Sequence, residues 1–176
     1  VFKQMNNQEK YNFSDFSVGH YKEIIEALIP THSFEFFTEY APQSKHVILR
    51  HDVDFSLESA FRLAKLENSL GVNSTFYLML HCEYYSFLEK RNIELVKSIL
   101  KLGHRIGLHF DSSFYLKNTQ NNFEANLLLE KSIIESFTGV EVRTFSFHNP
   151  SKFDLDYDDL FYSGMLNAYS SNFNSR

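Results

Sequence analysis

The 176-residue chain has one cysteine, Cys82, no tryptophan, three prolines and six glycines. A lone cysteine excludes an internal disulfide and any cysteine-based zinc cluster. A metal site in this chain must therefore be built from histidine and carboxylate side chains. Positive charge is also scarce. Seventeen Lys and Arg residues stand against 22 Asp and Glu, for a formal net charge of -5. The chain lacks the basic surface that displaces counterions, so no nucleic-acid partner is expected. No apolar run approaches the roughly 20 residues that span a bilayer. The start, Val1-Phe2-Lys3-Gln4-Met5, has no signal-peptide pattern, and a cytoplasmic location is expected. What is abundant is aromatic: 19 Phe and 10 Tyr, most of them expected in the core. The composition, 43% hydrophobic and 22% charged, is too apolar for disorder. The length suits one domain, or one domain with a short appendage.

The recurring pattern is a helix, a glycine, then a strand. Ser56 can cap a helix with Leu57, Ala60, Phe61 and Ala64 on one face, ending before Gly71. Asn92 can cap a second, carrying Ile93, Val96, Ile99 and Leu100 and ending before Gly103. A third carries Phe123, Leu127, Ile134 and Phe137 and ends before Gly139. Glycine suits the left-handed residue that follows a helix. The strands between read as His46–Asp52, Ser74–Leu80, Arg105–Phe110 and Val142–His148. This alternation predicts an α/β fold with a parallel sheet, open or curved into a barrel. Before it, Tyr21–Leu28 reads as a short helix stopped by Pro30, and Ser33–Tyr40 as a strand or an irregular aromatic segment. Residues 1–45 are thus expected to form an N-terminal extension packed on a domain of residues 46–176. The tail from Asp154 reads as the start of a helix that turns polar, without another strand. Four strands are too few for a closed barrel, which takes some 200 residues or more.

Ligands of parallel α/β sheets bind at the carboxyl ends of the strands, and strand side chains alternate between faces. Both rules together single out one set of residues. Ile48, Arg50, Asp52 and, by extension, Asp54 share a face, while His51 takes the other. Thr75, Tyr77, Met79 and His81 share a face. So do Arg105, Gly107, His109 and Asp111, with Ile106, Leu108 and Phe110 as the apolar reverse. Thr144, Ser146 and His148 complete the series. Each strand ends in His or Asp on one phase, which predicts a cleft with two or more carboxylates and up to three imidazoles. Such a cleft suits metal-assisted hydrolysis with zinc or a related divalent ion. One of Asp52 and Asp54 can bind the ion while the other serves as base, and a histidine can protonate the leaving group.

His51-Asp52-Val53-Asp54, followed by Gly103-His104-Arg105-Ile106-Gly107-Leu108-His109, resembles the polysaccharide deacetylase superfamily, with NodB homology, also called carbohydrate esterase family 4. The match runs from roughly Val47 to Pro150, and the His-Asp-Val-Asp variant is similar to a branch associated with surface polysaccharides. The resemblance implies a distorted (β/α) barrel, incomplete here, and a carbohydrate substrate. It implies Asp52 as base, with Asp54 and His109 as metal ligands. The family's usual third ligand falls on Ser113, a poor zinc ligand. The third position passes to Asp111, which we take as the assignment, or to His148, or to no residue. The family's Arg-Pro-Pro-Tyr motif corresponds to His148-Asn149-Pro150-Ser151, so its arginine is missing, and Arg50 can supply that charge and orient Asp52.

The expected function is metal-dependent hydrolysis of a carbon–nitrogen bond, N-deacetylation of an N-acetylated sugar or polysaccharide above all, with His148 or a residue beyond this chain as the proton donor. Two alternatives stand beside it: a non-catalytic carbohydrate-binding or scaffold module of the same fold, and a cyclic amide or imide hydrolase. A role at the rim in substrate contact is the most expected of His81.

Overall fold

The structure, a computed structural model, describes residues 16–39, 45–115 and 122–173. The N-terminal pentapeptide and Tyr40 lie outside the described residues. Helix α1 spans Val18–Leu28, and the Ser17 hydroxyl accepts a hydrogen bond from His20 N at 3.1 Å. It therefore begins three residues before the expected Tyr21 start. Strand β1 (Ser33–Glu35) follows, then a 3-10 turn over Phe37–Glu39. The aromatic segment thus combines a short strand with an irregular turn. β1 pairs in parallel with β2 (His46–Ile48). After Leu49 the same segment continues as β3 (Arg50–Val53).

The main elements follow the predicted alternation: α2 (Leu57–Ser69), β4 (Thr75–Leu78), α3 (Lys90–Lys101), β5 (Arg105–Phe110), α4 (Phe123–Thr138) and β6 (Thr144–Phe147). Ser56 caps α2, accepting from Ser59 N at 3.1 Å. Gly71, Gly103 and Gly139 close the helices with φ of +74°, +90° and +75°. At the second helix the expectation needs correction. The cap is Glu89, and Asn92 lies inside the first turn with its amide donating to Ser86 O at 2.9 Å. Asn92 secures the incoming loop instead of ending the helix.

The tail also departs from its reading. A 3-10 turn at Asp154–Asp156 leads to a hairpin of β7 (Phe161–Tyr162) and β8 (Met165–Asn167). Its turn residues, Ser163 and Gly164, have φ of +49° and +74°, as two-residue hairpin turns require. The six-stranded sheet runs β3-β4-β5-β6-β8-β7, parallel throughout except for the β7–β8 pair. It is an α/β fold with a parallel sheet, and among the described residues it does not close into a barrel.

Alternation divides the sheet as expected. Phe76, Leu78, Ile106, Leu108, Phe145 and Phe147 pack with the helices in the main core. On the reverse face Tyr77 packs with Phe37, Leu166 and Ala168. Gly107 sits on this face, where an added Cβ would lie 2.6 Å from the Tyr77 ring and 3.0 Å from Thr144 Oγ1. A residue without a side chain is needed for that ring to cross β5.

Two motif histidines serve the helix side of the sheet. Glu67 of α2 is fully buried and accepts hydrogen bonds from His51 Nε2 at 2.6 Å, Ser74 Oγ at 2.6 Å and the Tyr21 hydroxyl. His104, also buried, lies 2.9 Å from Ala64 O through Nε2 and accepts from Ser74 N at 3.2 Å through Nδ1. Burial alone would raise the Glu67 pKa. The donors, His51 foremost, outweigh it and hold the carboxyl below its ordinary range. The network ties α1, α2, β3 and the start of β4 together around one satisfied charge. No helix among the described residues is long and apolar enough to cross a membrane.

Candidate metal centre

The carboxyl ends of β3, β5 and β6 bring three donor atoms together. Asp54 follows β3 by one residue, His109 is the fifth residue of β5, and His148 follows β6. His148 N continues the sheet ladder by donating to Phe110 O at 2.8 Å. Asp54 Oδ1 lies 3.1 Å from His109 Nε2 and 3.3 Å from His148 Nδ1. The two imidazole nitrogens are 3.2 Å apart. Among the described residues, this is the one group of three such side chains able to hold an ion.

The geometry fits a cation. Four ligands at about 2.0–2.1 Å in a tetrahedron lie about 3.3 Å from one another, so the triangle matches one face of a zinc-like shell. Asp54 Oδ1 is enclosed and accepts no hydrogen bond despite its two close imidazoles. An enclosed carboxylate oxygen without a donor is costly, and a cation would satisfy it. His109 is 2% exposed. Burial first, with the charges of His148 and Arg50, holds its imidazole below the ordinary histidine range despite Asp52 and Asp54. The neutral ring is the form that ligates a metal.

A second layer orients these groups. Ser146 is the cross-strand partner of His109, and its hydroxyl lies 2.8 Å from Nδ1. The Asn149 amide lies 2.9 Å from His148 Nε2, held there by a left-handed backbone with φ of +43°. Such contacts fix ring orientation in metal sites. The sequence alone assigns no role to Ser146 or Asn149. The alternation phase that picked out His148 also carries Ser146, and its facing of His109 was the available signal.

Asp52 stands outside the triangle, and its charge acts on His109. Arg50 Nη2 donates to Asp52 Oδ2 at 2.6 Å. The guanidinium is packed over the rings of Tyr77 and Tyr169, 5.4 and 5.1 Å from their centroids, which adds cation–π attraction.

The structure does not bring Asp111 to the triangle. Its Oδ1 accepts from Ser113 N at 3.0 Å and Ser113 Oγ at 2.6 Å, capping the 3-10 turn over Ser112–Phe114. Ser113 is occupied in the same contact. The third donor atom beside Asp54 and His109 belongs instead to His148, which the sequence offers both as proton donor and as the alternative third ligand. His81 lies on the rim, stacked on Phe114 at 3.4 Å between centroids, with Nε2 3.4 Å from buried Glu130.

No family profile matches the chain, and no curated protein matches it. Among solved structures it is similar to IcaB from Ammonifex degensii, with a TM-score of 0.54 and 16% identity over 73% of this chain and 65% of that one. It is also similar to a mutant of BA3943, a CE4 family pseudoenzyme with restored enzymatic activity, with a TM-score of 0.51 and 20% identity over 72% of this chain and 45% of that one. The chain has the polysaccharide deacetylase (CE4) fold. It spans 65% and 45% of the lengths of these two structures.

Proposed function

We propose that this chain is a metal-dependent hydrolase of carbon–nitrogen bonds that removes the acetyl group from an N-acetylated sugar. The observation that carries the reading is the Asp54–His109–His148 triangle with a second carboxylate, Asp52, left outside it. Asp54, His109 and His148 would hold the divalent ion, and two nitrogens with one oxygen suit zinc. Bound there, the ion would supply Lewis acidity toward the acetamide carbonyl and acidify water.

Asp52 takes a proton from the attacking water. Arg50 pairs with that carboxylate from the same strand and orients it. The C–N bond breaks as Asp52 passes the proton to the departing nitrogen, giving acetate and the free amine. One carboxylate acting first as base and then as acid closes the proton balance. His148, engaged as a ligand, is then not required as donor.

A second reading is a non-catalytic carbohydrate-binding member. It is favoured by the departures from the resembled family's motifs, Ser113 at its usual third ligand position and His148-Asn149-Pro150-Ser151 in place of its arginine motif. Zinc content and acetate release from N-acetylglucosamine oligomers decide between them. Wild type should bind one ion and release acetate. Asp52→Asn should keep the ion and lose turnover by at least about a hundredfold, and Asp54→Asn should lose both. A zinc-loaded wild type that releases no acetate supports the binding module, and one that instead opens cyclic imides supports the imide hydrolase.

A further inference from the structure

A cavity of about 330 Å3 opens at the end of the sheet opposite the triangle. Thr75, Arg105 and Thr144, the first residues of β4, β5 and β6, form its floor. Arg105 and His109 are four residues apart on β5, a rise of about 13 Å. The proposed reaction uses none of these floor residues. Phe36, Phe37 and Thr38 cover the cavity from the segment after β1, and Leu100 and Ile106 supply apolar wall. A concave space of this size, with apolar walls and a few converging polar groups, has the form of a small-molecule site.

Apart from Glu141, every polar side chain of the lining can donate a hydrogen bond. Two of them, Arg105 and Arg143, are guanidinium groups in a chain short of positive charge. Arg105 lies over the Phe36 ring at 3.8 Å and donates to Thr38 Oγ1 at 2.5 Å and to Glu39. Arg143 donates through Nε to Glu141 at 2.7 Å. Glu39 and Glu141 are 52% and 58% exposed, and ion pairs this open add little stability. They hold the guanidinium groups at the cavity and give way readily to another anion. Behind the floor, the Tyr77 hydroxyl is fully buried and makes no well-formed hydrogen bond, and the hydroxyl that acts on it is that of Thr144. An acceptor in the cavity would complete that pair, taking the proton that Thr144 turns away from Tyr77.

We propose that this cavity is a second binding site, for a small molecule that joins a carboxylate or phosphate group to an apolar body. The anionic group sits between Arg105 and Arg143, with the Thr75 and Thr144 hydroxyls as further donors. The apolar body lies against Phe37, Leu100 and Ile106. A guanidinium fork suits carboxylate and phosphate oxygens alike. A bare inorganic anion would leave the apolar wall wet, and a neutral molecule could not replace Glu39 and Glu141. The site stands apart from the hydrolase reading, since it shares no residue with the triangle or with Asp52.

The test is calorimetric titration of the full chain with benzoate, phenyl phosphate, acetate and benzyl alcohol. Asp54→Asn protein is titrated beside wild type, because a carboxylate can also bind a metal held by the triangle. In both proteins benzoate or phenyl phosphate should bind at least about tenfold more tightly than acetate and benzyl alcohol. The stronger of the two names the anionic group. Arg143→Gln should lose that preference, and Thr75→Leu, which fills the cavity from its floor, should abolish binding. Arg62→Gln, at an arginine 72% exposed on α2, should retain it. Melting temperatures show that each variant is folded, and Arg143, 57% exposed, decides alone if Thr75→Leu is not. The proposal is overturned by Asp54→Asn protein that binds neither aromatic anion, by benzyl alcohol binding as tightly as they do, or by a preference that folded Arg143→Gln keeps. Acetate release is scored separately. Anion binding without acetate release contradicts the hydrolase reading and leaves this site standing.

Discussion

Ser146 faces His109 across paired strands, with its hydroxyl 2.8 Å from Nδ1 of the ring. The contact holds the imidazole so that Nε2 points at Asp54. Ser146→Ala should weaken zinc binding by about tenfold or more, while the melting temperature changes little. Competition against a chromogenic chelator measures the affinity. Unchanged affinity would remove Ser146 from the site.

Gly107 gives the Tyr77 ring its place. With a Cβ 2.6 Å from that ring, Gly107→Ala must displace a fully buried side chain or the strand. We expect a loss of about 1–3 kcal/mol of stability, read by urea denaturation. Because Tyr77 lies under the Arg50 guanidinium, turnover should fall in the surviving folded protein too.

The Glu67 network makes stability fall on acidification. Glu67 has a folded pKa below its unfolded value, so its contribution is present above about 4.5 and is lost as pH drops through the folded value. His104, kept neutral chiefly by burial, adds to the fall below about 6.5, where the unfolded chain gains the proton. Glu67→Gln should cost about 3 kcal/mol at pH 7 and flatten the acid limb of the stability profile. A variant with wild-type acid sensitivity would disprove the assignment.

Glu130 acts with the opposite sign. Burial pushes its carboxyl up to about 7, against the lowering effect of the Tyr115 hydroxyl. The folded state therefore keeps a proton that the unfolded state releases above about 4.5. Stability from this group is full below that value and is lost as pH rises through about 7. Glu130→Gln keeps an acceptor for Tyr115 and removes the titration. Relative to wild type, the variant should gain stability between pH 5 and pH 8 by about 1–3 kcal/mol, measured as urea midpoints at both values.

The sheet and the placing of the polar cleft were legible because alternation is a strict period. Arg50, Asp52, His109, Ser146 and His148 share one phase, and His51 takes the opposite one. The β7–β8 hairpin is not legible in the sequence because strands of two and three residues carry too little pattern. Only Ser163-Gly164 marked it. Asp111 and His148 were both available as the third donor, since both share the right phase. What separates them is the start of a turn at Ser112, which draws Asp111 back on itself, while His148 stays in the ladder with Phe110. Hydrogen bonds of that kind depend on where a strand stops, and strand ends are poorly encoded.

The cation that faces Asp52 comes from two positions earlier on the same strand, wedged between two tyrosines. In the proposed reaction, base and counter-charge therefore travel as one rigid body, and the loops around them can change without disturbing the electrostatics on which its proton transfer relies.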